Sequence, residues 1–173
     1  MKALTLPSQN YIKSVLDYNL ETGVFTWKYR NDVPKEWNTR RAGSIAGRTD
    51  KRGYITITIY KRHFYAHRLA WLWMTGECPY DDVDHRDRNP SNNKWSNLRR
   101  GSRTQNHGNR AISPKNTSGF KGVSLFKRDG TWRSQIQING ENIHLGYYLT
   151  PEKAHEVYMK AAKKYFGEFA RSA

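Results

Sequence analysis

Residues 54–60 read YITITIY, an unbroken alternation that predicts a β-strand with one buried face. Upstream the period is different. In SQNYIKSVLDY (8–18), Tyr11, Ile12, Val15 and Leu16 fall at helical spacing behind Ser8, a suitable N-cap, and predict a short amphipathic helix. ETGVFTWKYR (21–30) predicts a turn and then an alternating strand from Val24 to Arg30; a basic, glycine-punctuated loop follows over 38–53. Beyond residue 60, KRH (61–63) predicts a tight turn, FYA a resumed strand, and HRLAWLWMTG (67–76) a helix stopped by Gly76. The stretch VDHRDRNPSNNKWSNL (83–98) then has almost no apolar residue and no period, so it cannot form core.

The pattern resumes after a polar, Pro114-containing linker at 111–118. Three strands are predicted, FKGVSLFKR (120–128), TWRSQIQIN (131–139) and ENIHLGYY (141–148), with DG (129–130) and NG (139–140) as hairpin turns between them. TPEKAHEVYMKAAKKYF (150–166) predicts a helix capped by Thr150 with Pro151 at its first position, and its apolar face is expected to carry Ala154, Val157, Tyr158, Ala161 and Tyr165. In the middle strand Trp132, Ile136 and Ile138 share parity and should face that helix, which turns Arg133, Gln135 and Gln137 outward.

Charge changes this picture from architecture to partner. Thirty Lys and Arg against fifteen Asp and Glu give a formal charge of +15. The excess is 20 to 10 in residues 1–110 and 10 to 5 in residues 111–173, so both halves suit a polyanion. A membrane surface is disfavoured: the longest apolar run, LAWLWM (69–74), is too short to span, and MKALTLPSQN lacks a signal-peptide core. A single cysteine, Cys78, excludes an internal disulfide and a cysteine-based zinc site, and is expected to be a buried or half-buried thiol in a reducing compartment. Aromatic residues at 13% exclude wholesale disorder.

Asp84 and His85 are the residues in the polar stretch with chemistry to offer. A neutral imidazole is a good base near neutral pH, and carboxylate and amide oxygens suit Mg²⁺ or Mn²⁺ rather than zinc. On a β-ribbon the two side chains would point to opposite sides. A helix starting near Trp95–Ser96 would bring Asn106 back toward them. Against this stand plainer readings: an Asp-His surface ion pair, Asn97 as a helix cap, Asn106 and Asn109 solvated at a helix end, and His63 and His67 as structural or phosphate-contacting groups. His107 is an alternative metal ligand.

AHRLAW (66–71), VDH (83–85), NN (92–93), SNLR (96–99) and TQNHGN (104–109) together resemble the phage HNH homing endonucleases of the subgroup that ends in Asn, and ETGVFTW with the following strand resembles their β-rich front part. The resemblance implies a ββα-metal site with Asp84 and Asn106 as ligands of Mg²⁺ or Mn²⁺, His85 as general base, and Asn97 tying the loop to backbone. SGFKGVS (118–124), TWRSQIQI (131–138), HLGYY (144–148) and PEKAHEVYMKAA (151–162) resemble the AP2 DNA-binding domain. Ser124, Phe126 and Gln137 stand where plant members carry Arg, so no sequence preference carries over.

The expected fold is α+β. An HNH domain spans 1–110, divided into a β-rich DNA-contacting part (1–65) and a ββα-metal core (66–110). A linker at 111–118 joins it to an AP2-like three-stranded antiparallel sheet packed on one helix at 119–173. The function so implied is a metal-dependent, site-specific DNA endonuclease of the homing type that nicks as a monomer; the alternative is a non-catalytic DNA-binding regulator with a degenerate nuclease half. Contacts to double-stranded DNA are expected from Arg40, Arg41, Arg48, Lys51 and Arg52, and from Lys121, Arg133, Gln135, Gln137 and His144. No membrane and no obligate protein partner is expected, and the setting implied is the cytoplasm of a bacterial host, with the gene carried by a phage.

Overall fold

A computed structural model describes residues 6–79 and 81–172, the side chain of His107 excepted. They form two compact units, residues 1–100 and 101–173.

In the first unit α1 (Gln9–Val15) is capped by Ser8, whose Oγ accepts from the Tyr11 amide at 3.2 Å. The chain turns extended at Leu16, and β1 (Leu16–Asn19) pairs antiparallel with β2 (Val24–Trp27). Leu16 and Tyr18 were expected in the helix. They are buried strand residues instead, because the same two positions also satisfy a period of two, with Asp17 and Asn19 exposed. A short helix α2 (Lys35–Arg41) occupies the start of what the sequence reads as a basic loop.

An antiparallel sheet follows, β3 (Arg48–Thr49), β4 (Ile55–Ile59) and β5 (Arg62–Tyr65), with Ile57, Ile59 and Phe64 inward and Thr58 outward. Its β4–β5 turn is Tyr60–Lys61, one residue earlier than expected. Helix α3 (Ala66–Thr75) ends on Gly76 at φ 78°, the left-handed cap expected of glycine. Ile12, Leu16, Phe25, Ile57 and Leu69 are all fully buried where these elements meet. Each such side chain contributes roughly 1.5–3 kcal/mol by leaving water. Against this core lies a two-stranded ribbon, β6 (Asp82–His85) with β7 (Leu98–Gly101). The helix expected near Trp95 is a single 3₁₀ turn, Trp95–Asn97, that leads directly into β7. Cys78, expected to be at least half-buried, is exposed. Among the described residues no helix is long and apolar enough to cross a membrane.

The second unit holds α4 (Arg103–Asn109), an antiparallel sheet β8 (Val123–Phe126), β9 (Thr131–Ile138) and β10 (Glu141–Tyr148) in the order β10-β9-β8, and α5 (Pro151–Phe166) packed on it. Thr150 caps α5 by accepting from the Lys153 amide at 3.3 Å, and Pro151 opens the helix as expected. The buried stripe is Ala154, Tyr158, Ala162 and Phe166; Tyr165 is exposed. A stripe with a four-residue step advances about 40° around the helix each time, so the last buried position shifts from Tyr165 to Phe166. The Phe166 ring covers Gly108 of α4, where a Cβ would stand 2.5 Å from it. Helix α4, which the sequence assigns to the HNH domain at 1–110, packs with the second compact unit, which begins at Gly101.

Candidate active site

Asp84 and His85 end β6, and their side chains diverge as expected for neighbours on a strand. His85 is only 4% exposed. Its ring meets His67 edge-to-face at 5.0 Å and Tyr54 at 6.0 Å, while Tyr65 stacks on the far side of the box, on His67, at 5.4 Å. Burial disfavours the imidazolium form in both histidines. The His67 pKa falls to about 3, through burial first and then the nearby His85 and Arg68. That of His85 is lowered by burial, against the opposing pull of the Asn93 hydrogen bond and of the Asp84 and Asp87 carboxylates. His85 is thus neutral near pH 7, the form a general base requires.

Its tautomer follows from Asn93, the second residue of the NN pair, whose role the sequence does not reveal. Nε2 of His85 lies 3.2 Å from Oδ1 of Asn93. The Asn93 amide cannot turn round freely, because its Nδ2 donates to the Ser91 carbonyl at 3.1 Å. An amide oxygen only accepts, so the network assigns the ring proton to Nε2 and the lone pair to Nδ1, which has no hydrogen-bond partner among the described residues. Asn93 is itself fixed from behind: the Tyr18 hydroxyl donates to its carbonyl at 2.6 Å, and Gly23 (φ 74°) lies so close that a Cβ there would stand 2.4 Å from Asn93 C and Lys94 N. The ETG turn of the β1–β2 hairpin is therefore the brace of the loop that holds His85.

The Asn-rich stretch is a scaffold of side chains bonded to backbone. Asn97 accepts from the Asp87 amide at 3.0 Å and donates to Asp87 Oδ1 at 2.9 Å and to the Asn92 carbonyl at 2.8 Å. Asp87 also accepts from the Asn89 amide at 2.9 Å and from Asn92 Nδ2 at 2.6 Å. Burial alone would raise the Asp87 pKa; the hydrogen bonds from Asn89, Asn92 and Asn97, with His85 nearby, outweigh it and hold the carboxyl below its ordinary value. Asn97 thus links Asp87 and Asn92 across the loop.

On the other side of the ribbon Arg99 grips Asp84, donating to Oδ2 through Nε at 3.0 Å and Nη2 at 2.9 Å. This largely buried pair fixes the direction of the carboxylate. Asp84, His85 and Asn97 thus come together on one ribbon and loop, whereas Asn106 lies on α4 in the second unit. Among the described residues its Oδ1 is buried without a hydrogen-bond partner. The Asp84 carboxylate, held in a fixed direction, is an oxygen donor of the hard type that suits Mg²⁺ or Mn²⁺. The side chain of His107, the alternative ligand, lies outside the described residues.

Arg40, Arg41, Arg48, Lys51 and Arg52 are all exposed. Arg52 is joined to the aromatic box through a hydrogen bond to the Tyr65 hydroxyl and lies over the Tyr54 ring at 5.6 Å. Lys121 differs from expectation. Its Nζ donates to the Gly108 and Arg110 carbonyls at 2.5 and 2.7 Å, and burial, helped by Arg171, lowers its pKa to about 8, so it serves the second unit's own packing. Arg133, Gln135 and Gln137 share one face with His144, as the register of β9 with β10 requires. That face also carries an aromatic cluster, with Tyr147 4.9 Å from Phe126 and 4.6 Å from His144, which the sequence reading did not anticipate.

An HNH endonuclease family profile matches residues 64–107, the stretch from β5 through α4. The chain is 34% identical over 106 residues to a protein of Acanthamoeba polyphaga mimivirus named as an uncharacterized HNH endonuclease, and spans 54% of that protein's length with 60% of its own. It is 30% identical over 116 residues to protein 3.8 of Escherichia phage T7, covering 95% of that protein and 65% of its own length. No solved structure matches the chain significantly. The chain therefore carries an HNH endonuclease domain and belongs to the same family as protein 3.8 of the phage.

Proposed function

We propose that the protein is a metal-dependent, site-specific DNA endonuclease of the homing type, nicking one strand per site. The observation that carries this reading is the state of His85: a buried, neutral imidazole whose Nε2 is committed to Asn93 and whose Nδ1 lone pair has no hydrogen-bond partner among the described residues, next in sequence to a carboxylate fixed by Arg99. In the reaction His85 Nδ1 takes a proton from a water as the water oxygen attacks phosphorus, and the bond from phosphorus to the leaving sugar oxygen breaks. A divalent ion, when bound, supplies Lewis-acid stabilisation of the charge on the phosphoryl and leaving oxygens. Asp84, and on the family motif Asn106, are the donors assigned to hold it. Asn97 and Asp87 keep the loop in the shape that presents the base. Scattered Lys and Arg of both units position the DNA backbone without reading sequence.

The second unit is proposed as the specificity module, an AP2-like sheet that reads base edges through Arg133, Gln135 and Gln137. Support comes from its three antiparallel strands on one helix and from the shared face of those residues. Relaxation of supercoiled plasmid in Mg²⁺ tests the reading: the parent protein converts it to nicked circles, whereas EDTA or Asp84→Ala abolishes conversion. Full activity in EDTA overturns it.

A further inference from the structure

The first unit contains a cleft of about 550 Å³ on the outward face of β3–β5, and its walls have a consistent chemistry. Arg48 and Thr56 are register partners, as are Thr58 and His63, and all four line the floor. Thr58 Oγ1 and His63 Nδ1 are hydrogen-bonded at 2.9 Å, which fixes the imidazole. Trp37 of α2 and Tyr60 of the β4–β5 turn add aromatic rings to its lining. Among the described residues no carboxylate lines the cleft. Arg30 at its edge is neutralised by Asp32 at 2.6 Å, but Arg41 and Arg48 are exposed and make no ion pair among the described residues.

Tyr60 is held ready to stack. It is 66% exposed, yet one face of its ring is already covered by Tyr11 at a centroid distance of 4.7 Å, which leaves the other face open on a fixed platform. It also sits at φ 50°, followed by Lys61 at φ 60°, in a two-residue turn whose left-handed conformations favour Asn and Gly. Local preference does not explain an aromatic at this position. Trp37 is similarly immobilised, edge-to-face with Trp27 at 5.4 Å and with Arg30 over its ring at 5.3 Å.

Cations alone would suit the backbone of a duplex, whose base faces are hidden in the stack. Fixed aromatic rings beside unpaired guanidinium groups suit bases that have left the stack. We propose that this cleft binds an unstacked nucleotide of single-stranded or locally opened DNA, its base on the free face of Tyr60 and its phosphate between Arg41 and Arg48. The volume is within the range of pockets that enclose small molecules, about 300–1,000 Å³. The proposal rests on the DNA-nuclease reading and adds that the enzyme engages a distorted or opened strand outside the HNH ribbon.

The test uses the full chain in EDTA, which removes cleavage from the readout, with a single-stranded 20-mer containing one 2-aminopurine and a hairpin duplex of the same sequence. The parent protein is expected to bind the single strand and quench the 2-aminopurine. Tyr60→Leu, a change at an exposed position, should weaken single-strand binding roughly 5- to 150-fold, the range for loss of one stacked base, abolish the quenching, and change duplex affinity by less than about twofold. Arg41→Ser and Arg48→Ser should each reduce the salt slope of single-strand binding by about 0.7. Equal losses on both DNAs, or an unchanged quench in Tyr60→Leu, would overturn the cleft assignment while leaving the nuclease reading intact. Binding to the duplex alone would also overturn it, and failure to bind either DNA would sink both.

Discussion

Asn93 offers the sharpest perturbation of the catalytic geometry, because it touches the proposed base without being able to do chemistry itself. Replacing it with Leu keeps a side chain of similar size but removes the oxygen 3.2 Å from His85 Nε2 and the amide that donates to Ser91. Two costs follow. The ring N–H is left buried without an acceptor, a loss of about 1–3 kcal/mol. The preference for the tautomer with a lone pair on Nδ1 also disappears, since no other side chain among the described residues fixes Nε2 as the donor. If the lost interaction falls entirely on the productive ring state, the same 1–3 kcal/mol corresponds to about a 5- to 150-fold fall in the single-turnover cleavage rate, at 1.4 kcal/mol per factor of ten. DNA affinity measured in EDTA should be unchanged, because Asn93 is 2% exposed and cannot reach a ligand. The assay is relaxation of supercoiled plasmid under enzyme excess and saturating Mg²⁺. It is paired with ¹⁵N NMR of the histidine side chains, which reads the His85 tautomer directly. A general loss of fold would appear as a lower melting temperature and weaker DNA binding together. A variant that melts normally, keeps the Nε2–H tautomer and cleaves within threefold of the parent would refute the assignment of Asn93 as the residue that orients the base.

Gly23→Ala places a Cβ 2.4 Å from the Asn93–Lys94 backbone at a φ of 74°, so urea melts should show a loss of more than about 1 kcal/mol, and cleavage should fall with it; a neutral melt would contradict the brace. His67 has a folded pKa of about 3 against an ordinary 6.5, so the unfolded chain binds the extra proton, and the stability its neutral burial provides is present above pH 6.5 and lost as pH falls toward 3. Unfolding free energies from urea melts at pH 7, 5 and 4 should therefore drop by a total on the order of a few kcal/mol, and His67→Gln should flatten that part of the curve; an identical acid profile in the variant would remove His67 as its source. Arg133→Ala should cost about 1–3 kcal/mol at the preferred site and much less on random DNA if it reads a guanine, whereas a uniform loss on every sequence would make it a phosphate contact.

How far the sequence carried differs between the two units, for physical reasons. Strand β4 and helix α5 were legible because their burial follows a single clear period, alternation in YITITIY and a four-residue step behind Thr150 and Pro151 in α5. Leu16 and Tyr18 were not, since a four-residue strand next to a helix satisfies both periods over so short a span. Asp84 and His85 stand out in the sequence by residue type, and Asn97 through the family resemblance; the Asx scaffold around them is what such a run of Asn and Asp would build. Asn93 escaped because its role depends on burial and on which way an amide points, neither of which is written in an NN dipeptide. The placement of α4 escaped for a related reason: Gly108 reads as a helix end, but its lack of a side chain is what admits the Phe166 ring.

The central claim is that His85 is the base of a metal-dependent DNA nuclease, and the most direct measurement is single-turnover nicking of supercoiled plasmid by the parent protein and by His85→Ala in saturating Mg²⁺, with DNA affinity determined for both in EDTA. The account predicts a rate loss of about 10²–10⁴-fold, the usual contribution of a positioned general base, with affinity changed by less than about twofold. Cleavage by the variant within a few-fold of the parent would contradict it.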